Sequence, residues 1–168
     1  MLKSSPYILQ FSGLKLGNHS FEYILEASFF DSCESFGIQK GSGIAKAVLE
    51  KKETMMLLSL TLNATLDVLC DRCNENMILD VDGHMELIYK FGIEESLDES
   101  LVILPPDSYQ IDMFQPVYEL LVVSLPSRFI HPNDGCNPEV LKFLNTPPTS
   151  QEKKNELDPR WSALNKLN

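Results

Sequence analysis

The chain has 168 residues, of which 43% are hydrophobic and 23% are charged, a balance typical of one globular domain with a full core. Its formal net charge of -10 at pH 7 argues against a general nucleic-acid binder, because such proteins neutralise phosphates with lysine and arginine. No apolar run reaches the ~20 residues that a membrane span requires, and the N-terminus lacks a signal-peptide core, so a cytoplasmic location is expected.

The N-terminal part of the chain reads as short strands and one short helix. Residues 7–16 and 21–25 have strand-like patterns. The aromatic spacing in residues 27–36 favours one helical face, on which Cys33 is a small buried hydrophobe. Gly41-Ser42-Gly43 then predicts a flexible break before the next strand.

The middle of the chain predicts the body of a sheet. Residues 44–51 read as a strand, and residues 55–69 alternate apolar and polar side chains so strictly that they predict a long strand with one buried face. Residues 78–91 continue the meander, with Asp82-Gly83 as a bulge or turn, and residues 101–104 form a short strand. The expected fold is α+β: a mainly antiparallel β-sheet or partly open barrel, covered by a C-terminal helix.

The covering helix is predicted to begin at Asp112. Asp112 and Gln115 have the spacing of a capping box, and Pro116 suits the first turn. A strongly apolar run follows and ends near Pro126, which predicts a largely buried helix. A small helix at 139–144 comes next.

A proline-rich segment predicts where the compact part of the chain ends. We expect residues 1–145 to form a single β-rich domain, residues 146–157 a linker, and residues 158–168 an amphipathic tail helix. This tail suits either a helix that docks back on the domain or a segment that binds a partner. Its apolar stripe consists of Trp161, Leu164 and Leu167.

Cys70-Asp71-Arg72-Cys73 is the most specific chemical signal in the sequence. Two cysteines three positions apart, at a turn between strands, are the usual geometry of half a zinc site or of a redox pair. Structural zinc needs four ligands, and the loop after the buried helix offers His131 and Cys136. The candidate cofactor is therefore zinc, and the candidate metal ligands are Cys70, Cys73, His131 and Cys136. The competing interpretation is a metal-free turn whose thiols only pack.

The sequence offers little for catalysis at this turn. A redox thiol needs a lowered pKa, commonly at a helix N-terminus, whereas this pair lies between strands. The charge of Asp71 disfavours a thiolate, and Arg72 favours one. None of the three histidines lies in a nucleophile or metalloprotease motif, and no glycine-rich phosphate loop is present. We therefore expect no enzyme; the alternative is a small zinc or thiol protein with a catalytic role on RNA or protein.

The acidic residues are unevenly distributed. Between Lys90 and Arg128 there is no basic residue, but there are seven acidic ones: Glu94, Glu95, Asp98, Glu99, Asp107, Asp112 and Glu119. An acidic surface repels RNA and attracts basic partners such as ribosomal proteins. The simpler interpretation is a solvated loop that keeps the protein soluble.

The motifs of the chain follow a recognisable order. A β-rich half ends in Cys-Asp-Arg-Cys, an acidic stretch follows, and a helix with Tyr118-Glu119-Leu120-Leu121 closes at Ser124-Leu125-Pro126. Next come the loop from His131 to Cys136 and a tail that reads Asp-Pro-Arg-Trp-x-x-Leu-x-x-Leu from Asp158. Over nearly the whole chain this order resembles the YceD-like family, the large ribosomal RNA subunit accumulation proteins.

The resemblance implies a cytoplasmic bacterial protein needed for normal levels of large-subunit ribosomal RNA, hence a ribosome-biogenesis factor without established enzymatic chemistry. Together with the net charge it favours a basic ribosomal protein or a pre-ribosomal particle as partner, leaves direct contact with RNA open, and implies no membrane. Some family members carry further cysteines in the C-terminal loop, which suggests a four-cysteine metal site. Here that loop has only Cys136, with His131 as a substitute ligand.

Overall fold

The computed structural model describes residues 7–31, 36–93, 98 and 100–145. Several features predicted from the sequence lie outside these residues: Cys33, part of the acidic stretch (Glu94, Glu95 and Glu99), the linker 146–157 and the tail 158–168. The elements of the described residues are, in chain order, β1 (Ile8–Gln10), β2 (Gly17–Leu25), α1 (Ala27–Phe30), β3 (Ile38–Lys51), β4 (Met55–Leu69), β5 (Asn76–Phe91), β6 (Leu101–Leu104), β7 (Gln110–Asp112), α2 (Phe114–Ser124) and α3 (Pro138–Asn145).

A five-stranded sheet forms the body of the fold. Its strand order is β2-β3-β4-β5-β6, and β1 pairs with β7 in a separate two-stranded sheet. All neighbouring strands are antiparallel except β5 and β6, which are parallel. The α+β prediction with a mainly antiparallel sheet is confirmed. Of the two forms predicted for it, the open sheet is the one observed in the described residues, since β2 and β6 are its two edges.

The long alternation in β4 decides which face of the sheet is buried. Every second side chain of this strand is nearly inaccessible: Met56, Leu58, Leu60, Leu62, Ala64, Leu66 and Val68. The residues between them include Thr61, Asn63, Thr65 and Asp67, which are exposed on the opposite face. Because successive side chains of a strand point to opposite faces, the sheet has an inner face that belongs to the core and an outer face that meets solvent.

Helix α2 covers the inner face. Its buried residues include Val117, Leu120 and Leu121, as the predicted largely buried helix requires. The predicted capping box is wrong, because the side chain of Gln115 donates to Glu119 instead of reaching back to the helix start. Asp112 still serves the first turn, since its Oδ1 accepts the Phe114 N–H at 2.9 Å. No helix in the described ranges has the length and apolarity needed to cross a membrane.

Two glycine-containing segments differ from prediction because the glycines allow close packing inside strands. Gly41-Ser42-Gly43 belongs to β3 and is not a break; a Cβ on Gly41 would lie 2.6 Å from the ring of Phe30. Asp82-Gly83 is neither bulge nor turn, since Gly83 pairs in regular register with Leu62 in the middle of β5. The strand predicted over 7–16 is shorter in the structure: only β1 pairs with another strand, and the rest of that segment pairs with none.

Helix α2 approaches the sheet closely at Gly83. A Cβ there would clash with Ser124 Oγ and lie 2.9 Å from Leu120 Cδ1. We expect Gly83→Ala to lower the free energy of unfolding by about 1–3 kcal/mol, because the helix must shift to admit the methyl group. Chemical denaturation measures this.

The matched control is Gly13→Ala, since nothing lies within 4 Å of a Cβ at that position. Adding Ser124→Ala to Gly83→Ala is expected to restore part of the loss, because it removes the clashing oxygen. Equal destabilisation by the two glycine substitutions contradicts this account of the helix contact.

Candidate metal centre

The turn between β4 and β5 is closed by its own backbone. The last paired residues of the two strands are Leu69 and Asn76. Within the turn, the Cys70 N–H donates to the Glu75 carbonyl at 2.9 Å, and the Asn74 N–H donates to the Cys70 carbonyl at 2.8 Å. Asn74 has a φ of 59°, a left-handed conformation that asparagine adopts more readily than most residues. The turn leaves the Cys70 and Cys73 side chains buried.

The loop after α2 is held against this turn by hydrogen bonds of its own. The Asp71 N–H donates to the Phe129 carbonyl at 2.7 Å, and the Phe129 N–H donates to Asp71 Oδ2 at 2.7 Å. Farther along, the Asn137 side chain donates to Glu75 Oε1 at 2.6 Å. These contacts bring together segments that are 58 residues or more apart in sequence.

The four ligand candidates come together where these segments meet. One potential ligand atom from each of Cys70, Cys73, His131 and Cys136 lies within 4.8 Å of every other. Cys70 Sγ is 3.7 Å from Cys136 Sγ, Cys73 Sγ is 3.4 Å from His131 Nδ1, and Cys136 Sγ is 3.8 Å from His131 Nδ1. In the described residues this is the one group of three or more histidine, cysteine or acidic side chains with such spacing.

These distances suit a tetrahedral ion. Zinc–sulfur bonds of ~2.3 Å and zinc–nitrogen bonds of ~2.0 Å imply tetrahedron edges of about 3.8 Å between two sulfurs and about 3.5 Å between sulfur and nitrogen. His131 is also oriented for this role, since its Nε2 lies 3.4 Å from the Asn76 carbonyl. A hydrogen bond donated from Nε2 leaves the Nδ1 lone pair directed at the sulfurs. The residues present therefore fit a Cys3His zinc site.

The thiols of the cluster differ in acidity. Burial raises the pKa of Cys70, but hydrogen bonds from the backbone N–H groups of Cys73, Arg72 and His131, and from the His131 side chain, lower it to about 6. Burial raises the pKa of Cys136, and its hydrogen bonds and charge interactions with the other two cysteines raise it further. Of these two thiols, Cys70 therefore becomes a thiolate at the lower pH. The Asp71 carboxylate, which lies between Cys70 and Cys73 in sequence, accepts the Phe129 N–H.

The other two histidines of the chain lie away from the cluster. His19 hydrogen-bonds the Lys15 carbonyl at 2.8 Å, and His84 is 3.7 Å from Glu86 on the outer face of the sheet. Nothing in the sequence pattern marked the residues that support the cluster, above all Asn76 and Asn137. Asn137 also caps α3, since its Oδ1 accepts the Glu139 N–H at 2.9 Å.

The Asp71 carboxylate is testable as the contact that fixes the second loop. Asp71→Ala is expected to lower the free energy of unfolding by about 0.5–1.5 kcal/mol, because the Phe129 N–H loses its acceptor. It should also speed hydrogen exchange at the Phe129 amide. Asp71→Asn is the matched control, since its side-chain oxygen still accepts that bond. If alanine and asparagine have the same effect on exchange, the carboxylate does not hold the loop.

Residues 58–168 match a family model described as Large ribosomal RNA subunit accumulation protein YceD. The matched region includes β5, α2 and all four residues of the cluster. Comparison with curated proteins and with solved structures gives no match.

Proposed function

The chain belongs to the YceD family, the large ribosomal RNA subunit accumulation proteins, and we propose that it is a non-enzymatic ribosome-biogenesis factor that binds a basic ribosomal protein or an assembly intermediate. Membership of the family implies a role in the accumulation of large-subunit ribosomal RNA. The match over residues 58–168 is the observation that carries this proposal.

Charge supports a basic partner. The net charge of -10 disfavours contact with a phosphate backbone and favours contact with the lysine-rich and arginine-rich surfaces of ribosomal proteins. Acidic side chains lie on the outer face of the sheet as well as in the acidic stretch. Carboxylates on this face include Glu22, Asp67, Asp80, Asp82 and Glu86, and all five residues are exposed.

We also propose that the cluster of Cys70, Cys73, His131 and Cys136 binds zinc as a structural ion. The cluster offers four candidate ligands, as many as a structural zinc site needs, whereas catalytic zinc keeps one position open for water or substrate. Zinc bound by this cluster cross-links the β4–β5 turn to the loop after α2. The buried thiols and the closed ligand set make a catalytic zinc or thiol protein the weaker alternative.

The division into a domain over 1–145, a linker over 146–157 and a tail helix over 158–168 is part of the same proposal. The tail joins an apolar stripe to Arg160 and Lys166, a combination that suits a helix in a groove of the partner. We therefore assign it a share of the binding alongside the acidic surface.

The proposed partner is tested by affinity capture from lysate, with and without ribonuclease. Cells that lack the protein are expected to have a lower ratio of large-subunit to small-subunit ribosomal RNA, restored by the intact chain. Captured ribosomal proteins should persist after ribonuclease treatment, and a chain truncated after residue 157 should capture less of them. Tight binding to naked large-subunit RNA, with no ribosomal protein left after ribonuclease, contradicts the proposal.

Zinc binding is tested by metal analysis of protein purified without chelator. We expect one zinc ion per chain in the unmodified protein. The variants Cys73→Ser and His131→Ala should lose the ion and should unfold at a lower midpoint temperature than the unmodified protein. His84→Ala is the control, because His84 lies on the outer face of the sheet and not in the cluster. Full zinc content in both cluster variants rules out the proposed site.

Acidity should weaken the rebinding of zinc to metal-free protein. Because the pKa of Cys70 is lowered to about 6, its thiolate persists from alkaline pH down to that value and is protonated below it. Cys136, whose pKa is raised, must also lose its proton on binding, so the affinity should already fall as the pH decreases through neutrality and more steeply below about 6, where Cys70 is protonated as well. Titration with a competing chelator at a series of pH values measures this.

A further inference from the structure

We propose that the outer face of the five-stranded sheet holds a docking site for an extended segment of a partner protein that carries arginine or lysine at alternate positions. The site is a trough between Ile44 and Lys46 on one side and Asp80 and Asp82 on the other. The inference rests on the proposed function, to which it adds the place and the backbone conformation of the basic partner segment.

The outer face combines exposed aliphatic side chains with carboxylates. Ile24 and Ile44 are cross-strand partners on β2 and β3, and they are 68% and 39% exposed. Val48 lies farther along β3 on the same face and is 40% exposed. Such side chains can cover the methylene stems of lysine and arginine, whose charged heads then reach nearby acids.

Short side chains and backbone form the base of the trough, whose volume is about 680 Å³. These residues are Ser42, Gly43, Asn63, Ala64 and Thr65. A cavity of this size across β3, β4 and β5 can accept more than one side chain of an incoming segment.

The two aspartates are held in place by their strand neighbours. Thr65 Oγ1 donates to Asp80 Oδ1 at 2.9 Å, and the Asn63 side-chain amide donates to Asp82 Oδ1. Both hydrogen bonds use Oδ1, so the second oxygen of each carboxylate remains for an incoming donor. Within the described part of the chain neither aspartate forms an ion pair, and Lys46 lies 3.9 Å from Glu22 instead.

The spacing of these groups favours an extended peptide. Asp80 and Asp82 are two residues apart on one strand, so they repeat at about 6.6–6.8 Å along it. An extended peptide presents alternate side chains at the same interval, which places successive cationic groups over successive carboxylates. Arginine and lysine head groups suit this arrangement, because each can donate a charge-assisted hydrogen bond to the free oxygen of a carboxylate.

The overall charge of the face favours protein over RNA. Lys40, Lys46 and Lys90 are its lysines, and they are outnumbered by the carboxylates. The acidic side chains on this face are Glu22, Glu50, Asp67, Asp80, Asp82 and Glu86. A phosphate backbone laid along the trough would meet like charge, whereas a basic peptide meets opposite charge.

The test is a titration of purified full-length protein with a labelled Arg-Val-Arg-Val-Arg peptide, followed by fluorescence anisotropy at moderate salt. We expect Asp80→Asn/Asp82→Asn to weaken binding about three- to tenfold, as the loss of two partly exposed ion pairs implies. Asparagine keeps the Oδ1 acceptors used by Thr65 and Asn63, so folding should be preserved. Ile44→Ser should weaken binding without any change in charge.

The matched control is Glu53→Gln/Asp107→Asn, which removes the same charge from exposed positions in the β3–β4 turn and in the loop between β6 and β7. It should leave binding unchanged. A contiguous Arg-Arg-Arg-Val-Val peptide of the same composition should bind more weakly than the alternating one. Equal weakening by the two double variants, or equal affinity for the two peptides, overturns the inference in favour of general attraction to an acidic protein.

Two further outcomes separate this inference from the proposed function. If ribosomal proteins are captured but peptide binding is insensitive to Asp80→Asn/Asp82→Asn, the trough is not the docking site and the proposed function stands. If peptide binding depends on the two aspartates but no ribosomal protein is captured, the site stands and the proposed partner is wrong. Displacement of the peptide by a large-subunit RNA fragment overturns the choice of protein as occupant.

Discussion

The ladder between β4 and β5 runs without a register shift from Met55 opposite Lys90 to Leu69 opposite Asn76. One-residue slippage would exchange the inner and outer faces of both strands and expose the buried row of β4. Because the register is fixed, the turn at its end has a fixed position, and so do the cysteines in it. The same register brings Asn63 opposite Asp82 and Thr65 opposite Asp80 on the outer face. Both the candidate metal centre and the trough therefore depend on this one pairing.

Local pattern was enough to predict the elements whose environment is uniform along their length. The alternation in β4 and the apolar run in α2 were read correctly, because each reports a single buried face. The predictions were wrong at two glycines that serve close packing. Because glycine has no side chain, Phe30 packs against Gly41 and α2 packs against Gly83. Sequence pattern alone does not distinguish this use of glycine from a turn. The pairing of β1 with β7 was also out of reach, since each is only three residues long and they are far apart in the chain.

The residues of the cluster were predictable, but their proximity was not. Cysteine and histidine in two loops suggest ligands by type alone, while a sequence separation of 58 between Cys73 and His131 gives no distance. The structure accounts for the approach through two hydrogen bonds between Asp71 and Phe129, one between backbone groups and one from a backbone N–H to the carboxylate, which leave no signature in composition or spacing. Family membership thus indicates the process in which the protein takes part, whereas the geometry shows how its loops are held together.

The meeting of Cys70 and Cys136 also closes a ring in the chain. Their separation is 66 residues, and the ring contains the whole of β5, β6, β7 and α2. Joining two points that far apart in an unfolded chain costs about 4 kcal/mol of conformational entropy. In the native structure the β4–β5 ladder and the packing of α2 on the sheet offset this cost. An ion bound by both thiols would close the same ring covalently, so it would restrict the unfolded chain over four elements of the fold.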